Sequence, residues 1–224
     1  VLKAGAAVGL AFDGDADRVL AVDGRGQLVD GDHLMALFAL DMQAQGRLAG
    51  NAVVVTVMTN LGFRLAMEAK GIEVRETQVG DRYVLAALEE SDLTLGGEQS
   101  GHIIFRDVAT TGDGILTGLV LLDLLGRRGL PLAELAAASM TRLPQELVNV
   151  KVSDLGRLSS AKPVWAEVAA TEHQLGRNGR VLLRASGTEP LVRVMVEAES
   201  PQDARSAADR LRRVVERELG TPKG

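Results

Sequence analysis

The run Ala52-Val53-Val54-Val55-Thr56-Val57-Met58 limits the possible folds of this chain more than any other stretch. It is almost continuously β-branched and lacks the polar alternation of a half-exposed strand, so it reads as a strand covered on both faces. Such a strand needs helices on either side of its sheet, and the flanking sequence supplies them. Asp32–Gln45 places Leu34, Leu37, Phe38 and Met42 on one helical stripe, with Asp32 set to cap it. Leu61–Ala69 is helical and stops before Gly71. Strands are expected at Val8–Phe12, Val19–Val22, Ile72–Thr77, Leu93–Leu95 and Ile103–Phe105, and helices at Arg82–Glu90 and Gly114–Leu125. This alternation predicts an α/β fold with a mixed, mainly parallel sheet.

The pattern changes near Pro144. Strands at Glu146–Val152, Arg180–Arg184 and Leu191–Ala198, with helices at Lys162–Leu175 and Gln202–Leu219, predict a small α+β domain: an antiparallel sheet with two helices. A linker is placed at 131–144. Trp165 falls in a helical pattern and reads as core, while His33 and His173 read as ordinary helix-surface residues.

Composition removes several function classes. The 224 residues carry 25 basic and 30 acidic groups, so a bulk electrostatic grip on nucleic acid is not expected. No run approaches the roughly 20 apolar residues of a membrane span, so no membrane partner is expected either. Cysteine is absent, which removes thiolate metal sites and cysteine nucleophiles and fits a reducing cytoplasm.

Three stretches carry chemistry. Asp13-Gly14-Asp15-Ala16-Asp17-Arg18 spaces three carboxylates by two, which on an extended segment puts them on one side. Such charges repel unless a divalent cation neutralises them, and oxygen-only ligands favour Mg²⁺, Ca²⁺ or Mn²⁺. An EF-hand fails the count, since its sixth position is Arg18 and its twelfth Gly24. The plain alternative is a solvated acidic turn. In Gly97-Glu98-Gln99-Ser100-Gly101-His102, Glu98 and Ser100 are placed to hydrogen-bond sugar hydroxyls, and His102 to move a proton. A tight hairpin with a hydrogen-bonded histidine would use the same residues. Arg184-Ala185-Ser186-Gly187-Thr188-Glu189-Pro190, followed by Arg193, joins a strand to a turn able to cradle an anion between two arginines. Its plain alternative is a hairpin with edge arginines. Gly80-Asp81-Arg82 and Thr110-Thr111-Gly112-Asp113-Gly114 each precede a helix, where backbone N–H groups could meet an anion. No nucleotide-binding pattern is present.

In that order the three loops resemble the α-D-phosphohexomutase family. Gln99, with Gly80-Asp81-Arg82-Tyr83, looks most like the bacterial branch that interconverts glucosamine 6-phosphate and glucosamine 1-phosphate. The resemblance implies four domains around a cleft, a phosphorylated serine on the first, and a bisphosphate intermediate. It implies that Asp13, Asp15 and Asp17 hold Mg²⁺, that Arg18 lies near the moving phosphoryl group, and that Glu98 and Ser100 grip the sugar. His102 would be the acid/base, and Arg184, Ser186, Gly187, Thr188 and Arg193 would anchor the other phosphate of a phosphorylated hexosamine. The family's Thr-Ala-Ser-His-Asn-Pro loop does not occur in these 224 residues. The expected layout is therefore the end of domain two at 1–30, domain three at 31–130, the linker, and domain four at 145–224. The N-terminal domains of the same enzyme become the expected partner, and this chain is expected not to turn over substrate alone. Readings kept open are a mannose or glucose phosphate mutase, a sugar-phosphate-binding module without chemistry, and a phosphatase with an aspartyl nucleophile.

Overall fold

The computed structural model describes residues 1–186 and 189–220. Two compact units divide the chain, Val1–Arg142 and Leu143–Gly224.

The first unit holds two sheets. Strands β1 (Val8–Phe12), β2 (Val19–Asp23) and β3 (Leu28–Val29) form an antiparallel sheet in that order. The second sheet is built from β4 (Ala52–Thr56), β5 (Glu73–Thr77), β6 (Leu95–Gly97) and β7 (Ile103–Phe105), ordered β5-β4-β6-β7. Its β4–β5 and β4–β6 pairs are parallel and β6–β7 antiparallel, so it is mixed and mainly parallel as expected. Every residue of β4 is buried, which accounts for its valine run. Strand β6 lies two residues later than the Leu93–Leu95 expected for it, because Gly96 and Gly97 belong to the strand. A Cβ on Gly97 would come within 2.7 Å of the His102 carbonyl oxygen, so the tight β6–β7 pairing requires a residue without a side chain.

Helices α1 (Gly31–Ala44), α2 (Leu61–Ala69), α3 (Asp81–Glu90), α4 (Gly114–Arg128) and α5 (Leu132–Ser139) cover these sheets. The α1 cap is Asp30, whose side chain accepts the His33 N–H, and not Asp32. Asn60 caps α2 and Asp113 caps α4, which ends on left-handed Gly129. The main core joins α1 to β4, β7, α4 and α5. Within it Phe38 and Phe105 meet edge to face at 5.1 Å, a geometry worth about 0.5–1.5 kcal/mol beyond burial. Residues 131–144, expected as a linker, contain α5, with Leu132 and Ala136 buried in that core.

The second unit is an antiparallel sheet of β8 (Gln145–Lys151), β9 (Arg180–Ala185) and β10 (Leu191–Glu197), ordered β8-β10-β9, with α6 (Lys162–Leu175) and α7 (Pro201–Leu219) packed on it. Val192, Val194 and Val196 bury against Leu211 and Val215 of α7. Ser200 caps α7 by accepting the Asp203 N–H while its hydroxyl donates to the Asp203 carboxylate. Trp165, expected in the core, is 40% exposed, with its Nε1–H donating to the Leu158 carbonyl. A single indole on a helix face satisfies the same periodicity whether it lies inside or along a rim. Among the described residues no helix is long and apolar enough to cross a membrane.

Candidate functional site

The acidic loop joins β1 to β2, and its geometry differs from the extended segment expected. It is a turn in which Ala16 adopts a left-handed conformation, φ 60°, and donates its N–H to the Asp13 carbonyl. That turn, and not strand alternation, gathers the charges: carboxylate oxygens of Asp13, Asp15 and Asp17 all lie within 4.8 Å of one another. Arg18 donates its backbone N–H to Asp13 Oδ1, and its half-exposed guanidinium sits 3.6 Å from Asp13 and 3.8 Å from Asp17. A trio of carboxylate oxygens at this separation is the donor set a hard divalent cation takes, with open coordination positions left to water or substrate oxygens.

The loop 98–102 between β6 and β7 is packed against the acidic loop. Gly101 accepts the Val19 N–H, and the approach is so close that a Cβ on Gly101 would fall 2.1 Å from the Val19 oxygen. Gly101 also has φ +91°, which disfavours any side chain. Glu98 accepts the Gly80 N–H through Oε1 at 3.0 Å, leaving its second oxygen for another partner, and Ser100 is exposed. His102 is 3% exposed and engaged at both ring nitrogens: Nδ1 is 3.0 Å from Asp17 Oδ2, and Nε2 accepts the Gly112 N–H at 3.2 Å. Asp13, Asp15, Asp17, Arg18, Glu98, Ser100 and His102 thus belong to two interlocked loops of one unit.

The second candidate cluster lies in the other unit. Arg193 on β10 stands directly opposite Arg184 on β9 and Asn149 on β8, a polar row across three strands. Two guanidinium groups facing each other repel, and the buried Arg193 Nε has no hydrogen-bond partner. Ser186 is buried at the end of β9, its N–H donating to the Leu191 carbonyl. Gly187 and Thr188 lie outside the described residues.

Both loops expected as weaker anion sites have their N–H groups occupied. Gly80 N–H goes to Glu98 and Arg82 N–H to the Asp81 carboxylate. Gly112 N–H goes to His102, Gly114 N–H to the Ala16 carbonyl and Leu116 N–H to Asp113.

Sequence reasoning missed the supports of the site. Buried Asp32 accepts the Asn60 N–H at 3.0 Å and the Gln99 side-chain amide at 3.2 Å, so Gln99 turns into the protein and fixes the loop that carries Glu98. An Asp one turn into an apolar helix, with no role left at the cap, was the available signal. Asp30 pairs with Arg142 and with His33, which is therefore no ordinary surface residue. Burial pushes the Asp30 carboxyl up, but the His33 hydrogen bonds and the Arg142 charge outweigh it and hold it below the ordinary value.

Comparison with known proteins gives the same order of parts. The alpha/beta/alpha domain III of phosphoglucomutase/phosphomannomutase matches residues 30–143, and the C-terminal domain of that family matches residues 147–214. A phosphoglucosamine mutase of Thermobifida fusca is 58% identical over 219 residues, covering 98% of this chain and 49% of that protein. One from Frankia alni is 56% identical over 223 residues, covering 100% and 49%. The chain thus spans about half the length of the curated relatives it matches. Among solved structures, an Aspergillus fumigatus N-acetylphosphoglucosamine mutase superposes with a TM-score of 0.81 at 26% identity, covering 94% of this chain and 48% of that one. The same enzyme in complex with GlcNAc-6P and magnesium gives 0.78 at 26% identity, covering 92% and 51%.

Proposed function

Because the chain belongs to the phosphoglucomutase/phosphomannomutase family, we propose that it supplies the metal, sugar and phosphate-anchoring parts of a phosphoglucosamine mutase. The reaction is the interconversion of glucosamine 6-phosphate and glucosamine 1-phosphate through a bisphosphate, in the cytoplasm. The observation that carries this reading is the buried, partnerless Arg193 Nε opposite Arg184. Such a pair calls for a dianion, and the bidentate fork of arginine suits phosphate.

In this reading Asp13, Asp15 and Asp17 hold Mg²⁺, whose charge neutralises oxygens of the moving phosphoryl group when bound. Arg18, paired loosely to Asp13 and Asp17, is free to turn toward the same oxygens. The unengaged oxygen of Glu98 and the exposed Ser100 hydroxyl accept and donate hydrogen bonds to sugar hydroxyls. Arg184, Ser186 and Arg193, with Gly187 and Thr188, anchor the phosphate that stays in place, so the sugar can present either end to one reacting centre. The phosphoryl carrier is assigned to a serine outside these 224 residues, with the N-terminal domains of the enzyme as partner. A mannose or glucose phosphate mutase is less favoured, since the relatives above are phosphoglucosamine mutases.

Thermal melts with glucosamine 6-phosphate, glucose 6-phosphate and mannose 6-phosphate, each with and without Mg²⁺, test the reading. A ligand at a hundredfold its Kd stabilises by about 2.7 kcal/mol, a shift of several degrees. A shift with the amino sugar that Arg193→Ala abolishes is the expected result. No shift with any sugar phosphate overturns the anchor. Robust turnover by this chain in a coupled mutase assay overturns the assignment of the phosphoryl carrier.

A further inference from the structure

His102 carries the strongest observation that the proposed function leaves unused. A backbone N–H can only donate, so the Nε2 that faces Gly112 N–H at 3.2 Å must present its lone pair. The single proton of the neutral ring then sits on Nδ1, aimed at Asp17 Oδ2 3.0 Å away. A second ring proton would point N–H at N–H in a site where His102 is 3% exposed. The Gly112 backbone lies so close that a Cβ there would be 2.4 Å from Nε2, so Gly112 is the residue type that lets the ring lie flat against the chain. A general acid or base needs a nitrogen within reach of substrate, and both nitrogens here are committed to protein.

We propose that His102 is a positioning residue: as the Nδ1–H tautomer it orients the Asp17 carboxylate for the metal, relaying the Gly112 backbone to the acidic loop. The proposal rests on the metal reading of that loop and assigns His102 a task other than proton transfer. Its logic is that of any ligating carboxylate whose orientation is fixed by a hydrogen bond from the protein, where loss of the outer partner typically costs about 10–100-fold in metal affinity. It also accounts for Gly112 and for the close seating of the loop 98–102 on β2.

Two measurements on the chain as it stands test this. Long-range ¹H–¹⁵N spectra are tractable with three histidines, His33, His102 and His173, the second assigned by its loss in a variant. A bare Nε2 and a protonated Nδ1 at neutral pH are expected, and a proton on Nε2 overturns the proposal. Mn²⁺ titration is then compared for the chain, His102→Asn and His102→Gln. Asparagine offers an N–H where Nδ1 stands, whereas glutamine reaches Gly112 but has no donor for Asp17. Affinity should fall about tenfold or more in His102→Gln and recover to within about threefold in His102→Asn. Equal affinities in all three overturn the positioning role alone. No Mn²⁺ binding by the unsubstituted chain overturns the metal reading and this proposal with it, while the sugar-phosphate melts still judge the anchor. If His102→Gln fails to fold, Gly112→Ala, which pushes against the ring, takes its place, with the same loss expected and unchanged affinity counting against the proposal.

Discussion

The acidic loop of the first unit and the arginine row of the second treat crowded like charges in opposite ways. Around Asp13 and Asp17 the protein itself provides donors: the Arg18 backbone and guanidinium, and the His102 ring. In the row Arg184–Arg193 the charges face each other in register, and one buried Nε goes without a partner. A third cluster calibrates the contrast. Arg127 and Arg128 both chelate the buried Asp41, each through two nitrogens, so neighbouring arginines in this fold are satisfied when nothing else needs them. The acidic loop is braced in advance for its ligand, whereas the arginine row is completed by one.

The contrast predicts its largest effect at Arg193. Arg193→Met should weaken sugar-phosphate binding by about a hundredfold, the loss expected when charge-assisted bonds to a dianion disappear. The same change removes an unsatisfied buried donor, so the melting temperature of the ligand-free chain should hold or rise. Calorimetric titration and melts together check this, and a marked drop in stability without ligand would show that the row is satisfied by the protein.

Bracing of the acidic loop predicts the next effect. Gly101→Ala would drive a methyl into the Val19 carbonyl at a φ that already disfavours side chains, and should cost about 3 kcal/mol in denaturant unfolding. A cost under about 1 kcal/mol would mean the two loops part easily and that the seating seen here is loose.

Much of this was legible in the sequence, and the boundary has a physical cause. Helices such as Leu61–Ala69 and Lys162–Leu175 appear where apolar periodicity and caps place them, because both signals are local. The three loops were visible as residue types, but their connections were not. His102 and Asp17 meet across 85 residues, and Asp32 and Gln99 across 67, and no spacing rule reaches that far. Ala16 carries no composition cue for its left-handed backbone, since that conformation is imposed by the turn and by Gly114 donating to its carbonyl. His33 looked like surface because a helix stripe does not reveal a carboxylate waiting one turn before it.

The arginine-paired cluster gives a smaller, pH-dependent effect. Burial pushes the Asp41 carboxyl up, but its hydrogen bonds and charge pairing with Arg127 and Arg128 prevail, leaving it below the ordinary value. A carboxyl lowered in the folded state contributes stability that is complete above the unfolded value of about 3.9 and is lost as pH falls through the lowered folded value. Asp41→Asn should therefore cost about 1–2 kcal/mol at pH 7, and the deficit should shrink below about pH 4 as the native carboxyl itself is protonated. Urea midpoints from pH 3 to 8 measure it, and a deficit constant over that range would remove the ion pairs from the account.

The smallest effect tests whether the acidic trio is strained while it awaits a cation. Asp15 is exposed, and its carboxylate is gathered with those of Asp13 and Asp17 by the Ala16 turn, so its part in the ligand-free chain is repulsion. Asp15→Asn should raise the melting temperature by about one or two degrees at low salt and lose that advantage near 1 M salt, where charges are screened beyond about 3 Å. Mn²⁺ should reverse the ranking, stabilising the unsubstituted chain more than the variant, because the group that repels without the cation is a ligand with it. If the variant is no more stable at low salt, His102 and Arg18 already neutralise the trio, and bracing alone accounts for the loop. If it is more stable but Mn²⁺ leaves the ranking unchanged, the three carboxylates are a solvated acidic turn, and the metal reading fails at its own residues.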